Sequence, residues 1–323
     1  MILTVTLNPL LEKRYFTSEF VPGKVNKAEE EYFYAGGKGI NVSRQLNKLG
    51  VENQALLFAG GANGKQLRKC LVDERINFSI VNTNDETRIA SLIQDTTNNK
   101  ITSIFGKNSL ISLKEVDEFK NRLMKMIPNC SMIIFSGSSP CKETNEIFPF
   151  GIKTANEHDK IVLFDSYGEH LDACFGEKPM GIHNNVEELE NSFSTELKTD
   201  EQKTNFLHQI YNDGIKLAFI TDGSKPTFGM KFGFVYKIEN PTIAEIDATG
   251  SGDAFTAGIA YGLDKSLIYD EFVSVASALG CANTLKWDAC NVNKDEYHLF
   301  KDKVVINPIG KKMKLIDDSP TIY

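Results

Sequence analysis

The sequence lacks the features that mark several large classes of protein. It has no run of about eighteen consecutive apolar residues, which a transmembrane helix would need. Its first residues, MILTVTLNPL, contain no basic stretch followed by a long apolar core, so they predict a buried strand and not a signal peptide. The net charge of −7 offers no broad cationic surface for nonspecific binding of nucleic acid. We therefore expect a cytoplasmic protein that binds neither membranes nor nucleic acid.

The cysteines and histidines show no spacing typical of a disulfide framework or a metal site. The six cysteines form no CxxC pair and no dense cluster in a chain of 323 residues, which predicts reduced thiols. The five histidines form no metal-spaced pair.

Three common enzyme motifs are also missing. AGGANGKQ at residues 59–66 lacks the first glycine and the final hydroxyl residue of a P-loop. GSGDAF at residues 250–255 carries Phe255 where a dinucleotide-binding fingerprint has its third glycine. No GxSxG stretch is present, which disfavours a serine hydrolase.

Apolar runs rich in β-branched residues alternate with segments of helical periodicity along the chain. Strands are predicted at residues 2–7, 54–60, 131–137, 160–166 and 216–223, and helices at residues 38–49, 63–74, 114–126 and 201–213. This alternation predicts an α/β fold, with a parallel sheet covered by helices on both faces. In such sheets ligands bind beyond the carboxyl ends of the strands.

Two segments depart from this alternation. Residues 13–35 and 87–106 alternate polar and apolar residues, and TTNNK at residues 96–100 is typical of a hairpin turn. They predict antiparallel strands inserted beside the main sheet, as a small lid or a dimer surface, with an ordinary extension of the sheet as the alternative. We expect residues 1–310 to form one domain and residues 311–323 to form a peripheral tail.

The stretch EIDATGSGDAF at residues 245–255 places a glycine-rich turn before the predicted start of a helix. Glycines allow close approach of the backbone, and a helix N-terminus offers free N–H groups to an anion. Residues 250–253 can therefore cradle a phosphoryl group, with Asp253 beside it to accept a hydroxyl proton. The alternative is that Asp253 only caps the helix, because aspartate is a favoured cap.

The stretch AGGKGIN at residues 35–41 also precedes a predicted helix. Gly36, Gly37 and Gly39 can clear room for a ligand, and Lys38 offers a cation next to a crevice of strand ends. A tight turn with a solvated lysine is the alternative.

With AGGKGIN near the start and DATGSGD near the end, residues 1–300 resemble the ribokinase-like, or pfkB, family of sugar kinases. MILTVTLNP, GGKGINVSR and ETR at residues 86–88 are similar to the branch that contains 1-phosphofructokinase and tagatose-6-phosphate kinase. The resemblance implies a three-layer α/β fold, with a mostly parallel sheet flanked by helices and a small β-sheet lid. It also implies that ATP phosphorylates a hydroxyl of a ketohexose that already carries a phosphate.

The resemblance further implies the roles of individual residues. Asp253 would be the general base, and the backbone N–H groups of Gly250, Ser251 and Gly252 would form the anion hole. Substrate contacts would come from Glu12, Lys27, Gly37, Lys38, Asn41, Arg88, Ser136 and Ser138. Arg88, together with Lys27 from the lid, would bind the existing phosphate, since the guanidinium fork suits phosphate.

The nucleotide side lies in the C-terminal half. Contacts with ATP are expected from Asn185, Thr221, Gly223, Ser224, Gly250, Gly252 and Asn283, with Asn283 next to the adenine. Glu188, three residues after Asn185, would organise Mg²⁺ through water, because Mg²⁺ keeps several of its waters. Without the resemblance, an ordinary exposed helix start is the favoured interpretation of Asn185 and Glu188.

The sequence departs from the family pattern at four places. Glu12 replaces the aspartate that contacts sugar hydroxyls, and GKNS at residues 106–109 replaces a Gly-Pro pair. His183-Asn184-Asn185 replaces Lys-Pro-Asn, and Pro226 and Thr227 interrupt a Gly-x-x-Gly. A kinase for another sugar or a nucleoside, and a noncatalytic sensor of sugar or nucleotide, therefore stay open as alternatives. A homodimer through the lid strands is expected, because pairing between subunits would cover their edges.

Overall fold

A computed structural model describes residues 1–310; the expected peripheral tail at residues 311–323 lies outside the described residues. The strands of residues 1–310 are β1 (Ile2–Thr6), β2 (Leu10–Thr17), β3 (Glu30–Gly36), β4 (Asn53–Gly60), β5 (Phe78–Thr83), β6 (Ile89–Asp95), β7 (Lys100–Phe105), β8 (Met132–Ser136), β9 (Ile161–Asp165), β10 (Gly181–Asn185), β11 (Leu217–Asp222), β12 (Lys225–Lys231), β13 (Phe234–Glu239) and β14 (Val305–Ile309). The α-helices of the same residues are α1 (Lys38–Lys48), α2 (Gly61–Asp73), α3 (Leu113–Met126), α4 (Ile147–Glu157), α5 (Leu171–Gly176), α6 (Val186–Phe193), α7 (Asp200–Asn212), α8 (Ser251–Asp264), α9 (Tyr269–Asn283) and α10 (Lys294–Lys301).

A ten-stranded sheet forms the centre of the fold, in the order β14-β13-β12-β11-β10-β9-β8-β1-β4-β5. Neighbouring strands among β5, β4, β1, β8, β9, β10 and β11 pair in parallel. The strands β12, β13 and β14 continue the sheet beyond β11 in antiparallel pairs. Parallel strands share a direction, so the carboxyl ends of β1, β8, β9, β10 and β11 meet at one edge of the sheet.

Helices cover both faces of this sheet because its inner strands are apolar on both sides. In β8, Ile133 and Phe135 pack in a core with α3, α4 and α7, whereas Met132 and Ile134 pack on the other side against α8 and α9. Successive side chains of a strand point to opposite faces, so an uninterrupted apolar run joins both cores. The predicted α/β class and covered parallel sheet are confirmed.

A second sheet of four strands stands apart from the first, in the order β3-β2-β6-β7. β2 and β6 pair in parallel, while β3 and β7 pair antiparallel on the two edges. The hairpin predicted at TTNNK joins β6 to β7, where Asp95 pairs with Lys100 and Asn99 has a positive φ of 51°. The inserted strands therefore build their own sheet and do not extend the central one.

None of the helices in residues 1–310 has both the length and the apolar character that a membrane span requires.

Candidate active site

The N-terminus of α8 is the centre of the candidate site, and its local geometry depends on Gly250. This residue precedes the helix with φ of 79°, a left-handed conformation that L side chains rarely adopt. A Cβ at Gly250 would also lie 2.6 Å from Ala289 Cβ. Both facts explain why the turn before the helix needs a glycine.

The free backbone N–H groups in the first turn of α8 differ from the expected anion hole of Gly250, Ser251 and Gly252. Ser251 N donates to the carbonyl of Ala248 at 3.1 Å, so that group is already engaged. Gly252 and Asp253, in the first turn of α8, have no backbone acceptor among the described residues. A helix start leaves such groups free, with a positive potential around them. The cradle that the structure offers to an anion therefore centres on Gly252 and Asp253.

No side chain caps the start of α8 by a hydrogen bond, and the Asp253 carboxylate instead contacts α1. Its side chain is 4% exposed, and its Oδ2 accepts a hydrogen bond of 2.7 Å from Asn41 Nδ2 on α1. Burial raises the pKa of Asp253 to about 6; nearby Asp165 adds to the rise, and Lys38 and the Asn41 hydrogen bond oppose it. A carboxylate with this pKa is ionised at neutral pH and can still take up a proton.

Lys38 bridges two carboxylates and is not a solvated turn residue. Its Nζ lies 2.8 Å from Asp165 Oδ1 at the end of β9 and 3.1 Å from Glu188 Oε1 on α6. Burial lowers the pKa of Lys38, but the charges of Asp165, Glu188 and Asp253 raise it above its usual value overall. Lys38 thus connects the start of α1 with the end of β9 and with α6.

Asp165 is the centre of a buried network that the sequence reasoning missed. Its Oδ2 accepts a 2.8 Å hydrogen bond from Thr256 Oγ1 on α8 and lies 3.3 Å from His183 Nδ1. Because Thr256 donates its proton to Asp165, its oxygen can accept from His183 Nδ1 at 3.1 Å. Burial alone would raise the pKa of Asp165, but Lys38 and His183 hold it well below the usual range. The strand-end sequence LFDS was the only available signal.

The glycines of AGGKGIN make room for neighbouring parts of the protein. A Cβ at Gly37, the residue that precedes α1 with φ of 128°, would lie 2.9 Å from Thr6 Cγ2. A Cβ at Gly39 would lie 2.4 Å from Thr6 Oγ1, and one at Gly36 would overlap Leu10. These glycines therefore let α1 and β3 pack against the end of β1 and the start of β2.

Arg88 lies at the corner where the four-stranded sheet meets the ends of β1 and β8. Its guanidinium donates to Asn108 Oδ1 at 3.0 Å and to the carbonyl of Asn8 at 3.1 Å, while its Nε is buried with no partner among residues 1–310. Asn8 Nδ2 also donates to Ser138 Oγ at 3.0 Å, which brings Ser138 into this corner. Burial lowers the pKa of Arg88, and nearby Tyr167 opposes that effect. Tyr167, whose ring lies 5.5 Å from Lys38 Nζ, is a second side chain that the sequence reasoning missed.

Of the other predicted substrate residues, Ser136 lies in the interior and Lys27 lies on the surface. Ser136 is fully buried, and its Oγ has no hydrogen-bond partner within residues 1–310. Lys27 is exposed on the segment between β2 and β3, and the structure does not bring it into contact with the other predicted residues.

Glu12 lines a cavity of about 300 Å³ between the four-stranded sheet and α1. Arg14, Tyr34, Asn41, Arg44 and Asp288 are among the other lining residues. Asn41 connects this cavity to Asp253, so the cavity lies one side chain from the proposed proton acceptor. Arg14 and Arg44 carried no signal in the sequence that distinguished them from surface arginines.

Asn185 and Glu188 form a reciprocal cap at the start of α6. Asn185 Oδ1 accepts from Glu188 N at 2.8 Å, and Glu188 Oε2 accepts from Asn185 N at 3.0 Å. Thr221 Oγ1 lies 3.3 Å from His183 Nε2, and Gly223 and Ser224 are exposed just beyond it at the end of β11. These residues line the same edge of the sheet as the start of α8.

Asn283 does not fit the expected contact with adenine. Its side chain is fully buried, and its Nδ2 donates to Thr249 O at 2.8 Å and to Ser251 Oγ at 3.2 Å. Its Oδ1 accepts from Cys290 N at 2.6 Å, so each polar atom of the amide is engaged. Asn283 instead fixes the turn before α8 from the end of α9.

The donor set fits a magnesium ion held mainly by phosphates and water. No group of three His, Cys, Asp or Glu side chains within residues 1–310 is placed to hold a metal ion. The Glu188 carboxylate, however, stands at the same edge as the α8 N-terminus and is fixed by Lys38 and by Asn185 N. Mg²⁺ is commonly bound through one or two carboxylates, several waters and substrate phosphates.

Comparisons with known proteins agree with this arrangement. Residues 10–295 match the description "pfkB family carbohydrate kinase". The chain is 32% identical over 313 residues to a tagatose-6-phosphate kinase of Staphylococcus epidermidis, covering 95% of this chain and 99% of that protein.

Two solved structures have the same fold. A possible 1-phosphofructokinase from Thermotoga maritima superposes with a TM-score of 0.89 at 23% identity, covering 96% of this chain and 100% of that one. A ribokinase from Arabidopsis thaliana superposes with a TM-score of 0.73 at 18% identity, covering 92% and 97%. The predicted ribokinase-like fold is confirmed. Because the family match spans most of the chain, and the curated relative is similar over nearly its whole length, this protein belongs to the pfkB family of carbohydrate kinases.

Proposed function

We propose that this protein transfers the γ-phosphoryl group of ATP to a hydroxyl of a phosphorylated ketohexose. Tagatose 6-phosphate and fructose 1-phosphate are the leading substrates, in keeping with the names of the relatives. The observation that carries the proposal is the buried Asp253, which lies in the first turn of α8 beside free N–H groups and has a pKa of about 6. The expected cytoplasmic location stays a prediction.

Asp253 would accept the proton of the attacking hydroxyl as the phosphoryl group leaves ATP. The raised pKa supports this role, because a base works best when its pKa lies near the operating pH. The N–H groups of Gly252 and Asp253, and the turn at Gly250, would stabilise the negative charge of the transferring group. Most of the catalysis would then come from positioning and electrostatics, since a loose transition state needs little covalent assistance.

Lys38 would contribute by fixing the geometry of the site. Asp165 and Glu188 engage its Nζ in the structure, so it holds β9 and α6 at a set distance from α1. Asn41 on the same helix would orient Asp253 through its 2.7 Å hydrogen bond. Gly37 would serve this arrangement by allowing α1 to start against the end of β1.

Mg²⁺, held by the ATP phosphates and through water by Glu188, would neutralise charge on the transferring phosphoryl group. The adjacent strand-end residues Asn185, Thr221, Gly223 and Ser224 would border the nucleotide. Asn185 and Thr221 are half-buried at the ends of β10 and β11, and Gly223 and Ser224 are exposed just beyond β11, on the same edge as α8, which supports this placement.

The existing phosphate of the sugar would bind at Arg88. This guanidinium lies at the corner with Asn8, Asn108 and Ser138, and its flat fork can donate two parallel hydrogen bonds to a phosphate. Lys27 would join this contact from the segment between β2 and β3 if that segment closes over the substrate. Closure of the four-stranded sheet as a lid would exclude water and limit hydrolysis of ATP.

We also propose that the protein forms a homodimer through this four-stranded sheet. Its edges are unpaired among the described residues, and it exposes large apolar side chains: Tyr32 (45%), Phe33 (38%), Ile104 (60%) and Phe105 (60%). Unpaired edges and exposed apolar patches both favour association. Sedimentation velocity tests this, and a monomer at micromolar concentration would refute it.

The experiment that tests the proposed reaction is ADP release from MgATP with a panel of sugars. The panel contains tagatose 6-phosphate, fructose 1-phosphate, fructose 6-phosphate, fructose and ribose. We expect turnover on one phosphorylated ketohexose, and Arg88→Ala should raise the KM for that sugar phosphate without changing the KM for ATP. Turnover only on an unphosphorylated sugar would remove Arg88 from its role, and no turnover on any sugar would favour a sensor.

A further inference from the structure

Arg14 is a buried arginine that the proposed reaction does not yet use. It lies on β2 two residues after Glu12, so both side chains point to the same face of the four-stranded sheet. Its guanidinium Nε forms an ion pair with Glu12 Oε1, and its side chain is 2% exposed against 14% for Glu12. Such a buried pair is rarely kept for stability alone, because removing two charges from water is costly.

The polar groups around this pair are not satisfied by the protein. Arg14 Nη1 has no hydrogen-bond partner among the described residues, although its guanidinium faces the Tyr34 ring at 5.6 Å. Gln94 is fully buried, and neither polar atom of its amide has a partner there. The register of β2 with β6 pairs Arg14 with Leu92 and Phe16 with Gln94, which puts Gln94 on the same face as Arg14. A buried polar group without a hydrogen-bond partner is destabilising, so this face is expected to meet a polar ligand or water.

At Glu12 and Arg14 this face borders the cavity of about 300 Å³ described above, which is the size of a small-ligand pocket. Glu12, Arg14 and Asn41 all line it, and Asn41 bonds Asp253 at 2.7 Å. A sugar whose reacting hydroxyl lies at Asp253 would therefore have this cavity, with Glu12 and Arg14 in its lining, on the side of Asn41.

We propose that Arg14 is a specificity-determining residue that fixes Glu12, so that the pair distinguishes sugar phosphates by the configuration of a hydroxyl. This inference rests on the proposed function and deepens it. The ion pair holds one carboxylate oxygen of Glu12 and leaves the other to accept a hydrogen bond from the sugar. Arg14 in turn supplies a donor N–H to the same region. A glutamate has one more rotatable bond than an aspartate, and the guanidinium removes that freedom.

The readout is the ratio of kcat/KM for two ketohexose phosphates that differ only at one carbon. Fructose and tagatose are epimers at C4, so the sugar phosphate that the wild type uses best is compared with its C4 epimer. A site built to hydrogen-bond a hydroxyl discriminates strongly against a sugar that cannot make the bond, because its own polar groups are then left unpaired. A purely structural role would lower both values equally and leave the ratio unchanged.

The variants are Arg14→Met, Glu12→Gln and the double variant, each in the full chain. We expect Arg14→Met to shrink the epimer ratio about 10-fold or more with the KM for ATP unchanged. When Glu12→Gln is already present, adding Arg14→Met should shrink the epimer ratio no further, because Arg14 acts through Glu12. Lys13→Met is the matched control: Lys13 lies on the opposite face of β2, pairs with the exposed Glu31, and should leave the ratio as in the wild type.

Several results would overturn the inference. A wild-type ratio in Arg14→Met, or additive effects of the two changes on the ratio, would show that Arg14 does not act through Glu12. If Arg14→Met does not fold, the double variant is measured in its place, because removing both charges leaves neither one buried alone. A wild-type epimer ratio in the double variant would also overturn the inference. If the wild type turns over no sugar phosphate, the proposed function fails and the inference fails with it. If the wild type turns over sugar phosphates but Arg14→Met keeps the wild-type epimer ratio, this inference is rejected and the proposed function stands.

Discussion

Replacement of the proposed general base should make the protein inactive and more stable at the same time. Asp253→Asn keeps the shape of the side chain and an oxygen that can accept the hydrogen bond from Asn41. It removes a carboxylate whose charge is unfavourable where it is buried, as the raised pKa indicates. An ordinary structural aspartate with a lowered pKa would give the opposite change in stability.

The size and the pH dependence of the effect follow from the shifted pKa. A rise from the usual 3.8 to about 6 makes ionised Asp253 cost roughly 3 kcal/mol of unfolding free energy. The pKa of Asp253 is higher in the folded state than in the unfolded state, so between pH 3.8 and about 6 the folded state binds more protons. The unfolding free energy of the wild type therefore falls as the pH rises through this range. Above pH 6 ionised Asp253 destabilises the folded state by this full amount, and below pH 4 the destabilisation disappears because Asp253 is protonated.

Urea unfolding of the wild type and Asp253→Asn near pH 8, 6 and 4 measures this difference. We expect the variant to be more stable by up to about 3 kcal/mol near pH 8, with the difference shrinking toward zero near pH 4. Turnover should fall by about 10²–10⁴-fold. A variant that is less stable at every pH would refute the electrostatic reasoning, whatever its activity.

Three further results are expected. The wild-type kcat/KM should rise with pH through about 6 and then level off, because the base with that pKa must be ionised; a flat profile from pH 5 to 8 would contradict this. Lys38→Met should lower the unfolding free energy by about 3 kcal/mol in urea, since it leaves Asp165 and Glu188 without their cation; an unchanged urea midpoint would argue against the bridge. Gly250→Ala should cost about 1–3 kcal/mol and reduce turnover, because alanine is strained at φ of 79° and its Cβ meets Ala289; wild-type melting and rates would show that the turn adapts.

The parts of the fold that were predictable are those with strong local patterns. The inner strands β8, β9 and β11 are uninterrupted apolar runs, and the hairpin at residues 96–100 has a turn composition between alternating segments. The antiparallel strands β12, β13 and β14 at the edge were not predicted. Their residues are mixed and partly exposed, so the alternation is weak where the sheet is covered less completely.

The candidate site was predictable at the level of motifs but not of contacts. Asp253 and Lys38 were singled out because each lies in a glycine-rich turn before a helix. The partners of Lys38, by contrast, come from β9 and α6, more than a hundred residues away in the chain. In the sequence, Asp165 cannot be distinguished from other polar residues that follow a strand. The sequence likewise does not show that Asn283, at the end of α9, is fully buried. Only the tertiary packing distinguishes these cases.

The most direct test of the account is the initial rate of ADP formation from MgATP and tagatose 6-phosphate, for the wild type and Asp253→Asn, with unphosphorylated tagatose as the paired substrate. We expect rapid turnover of the phosphorylated sugar by the wild type, much slower turnover of tagatose, and loss of turnover in the variant while ATP still binds. If fructose 1-phosphate is the better substrate, the same comparison is made with fructose. Equal rates for the wild type and Asp253→Asn would contradict the central claim that Asp253 accepts the proton of the sugar hydroxyl.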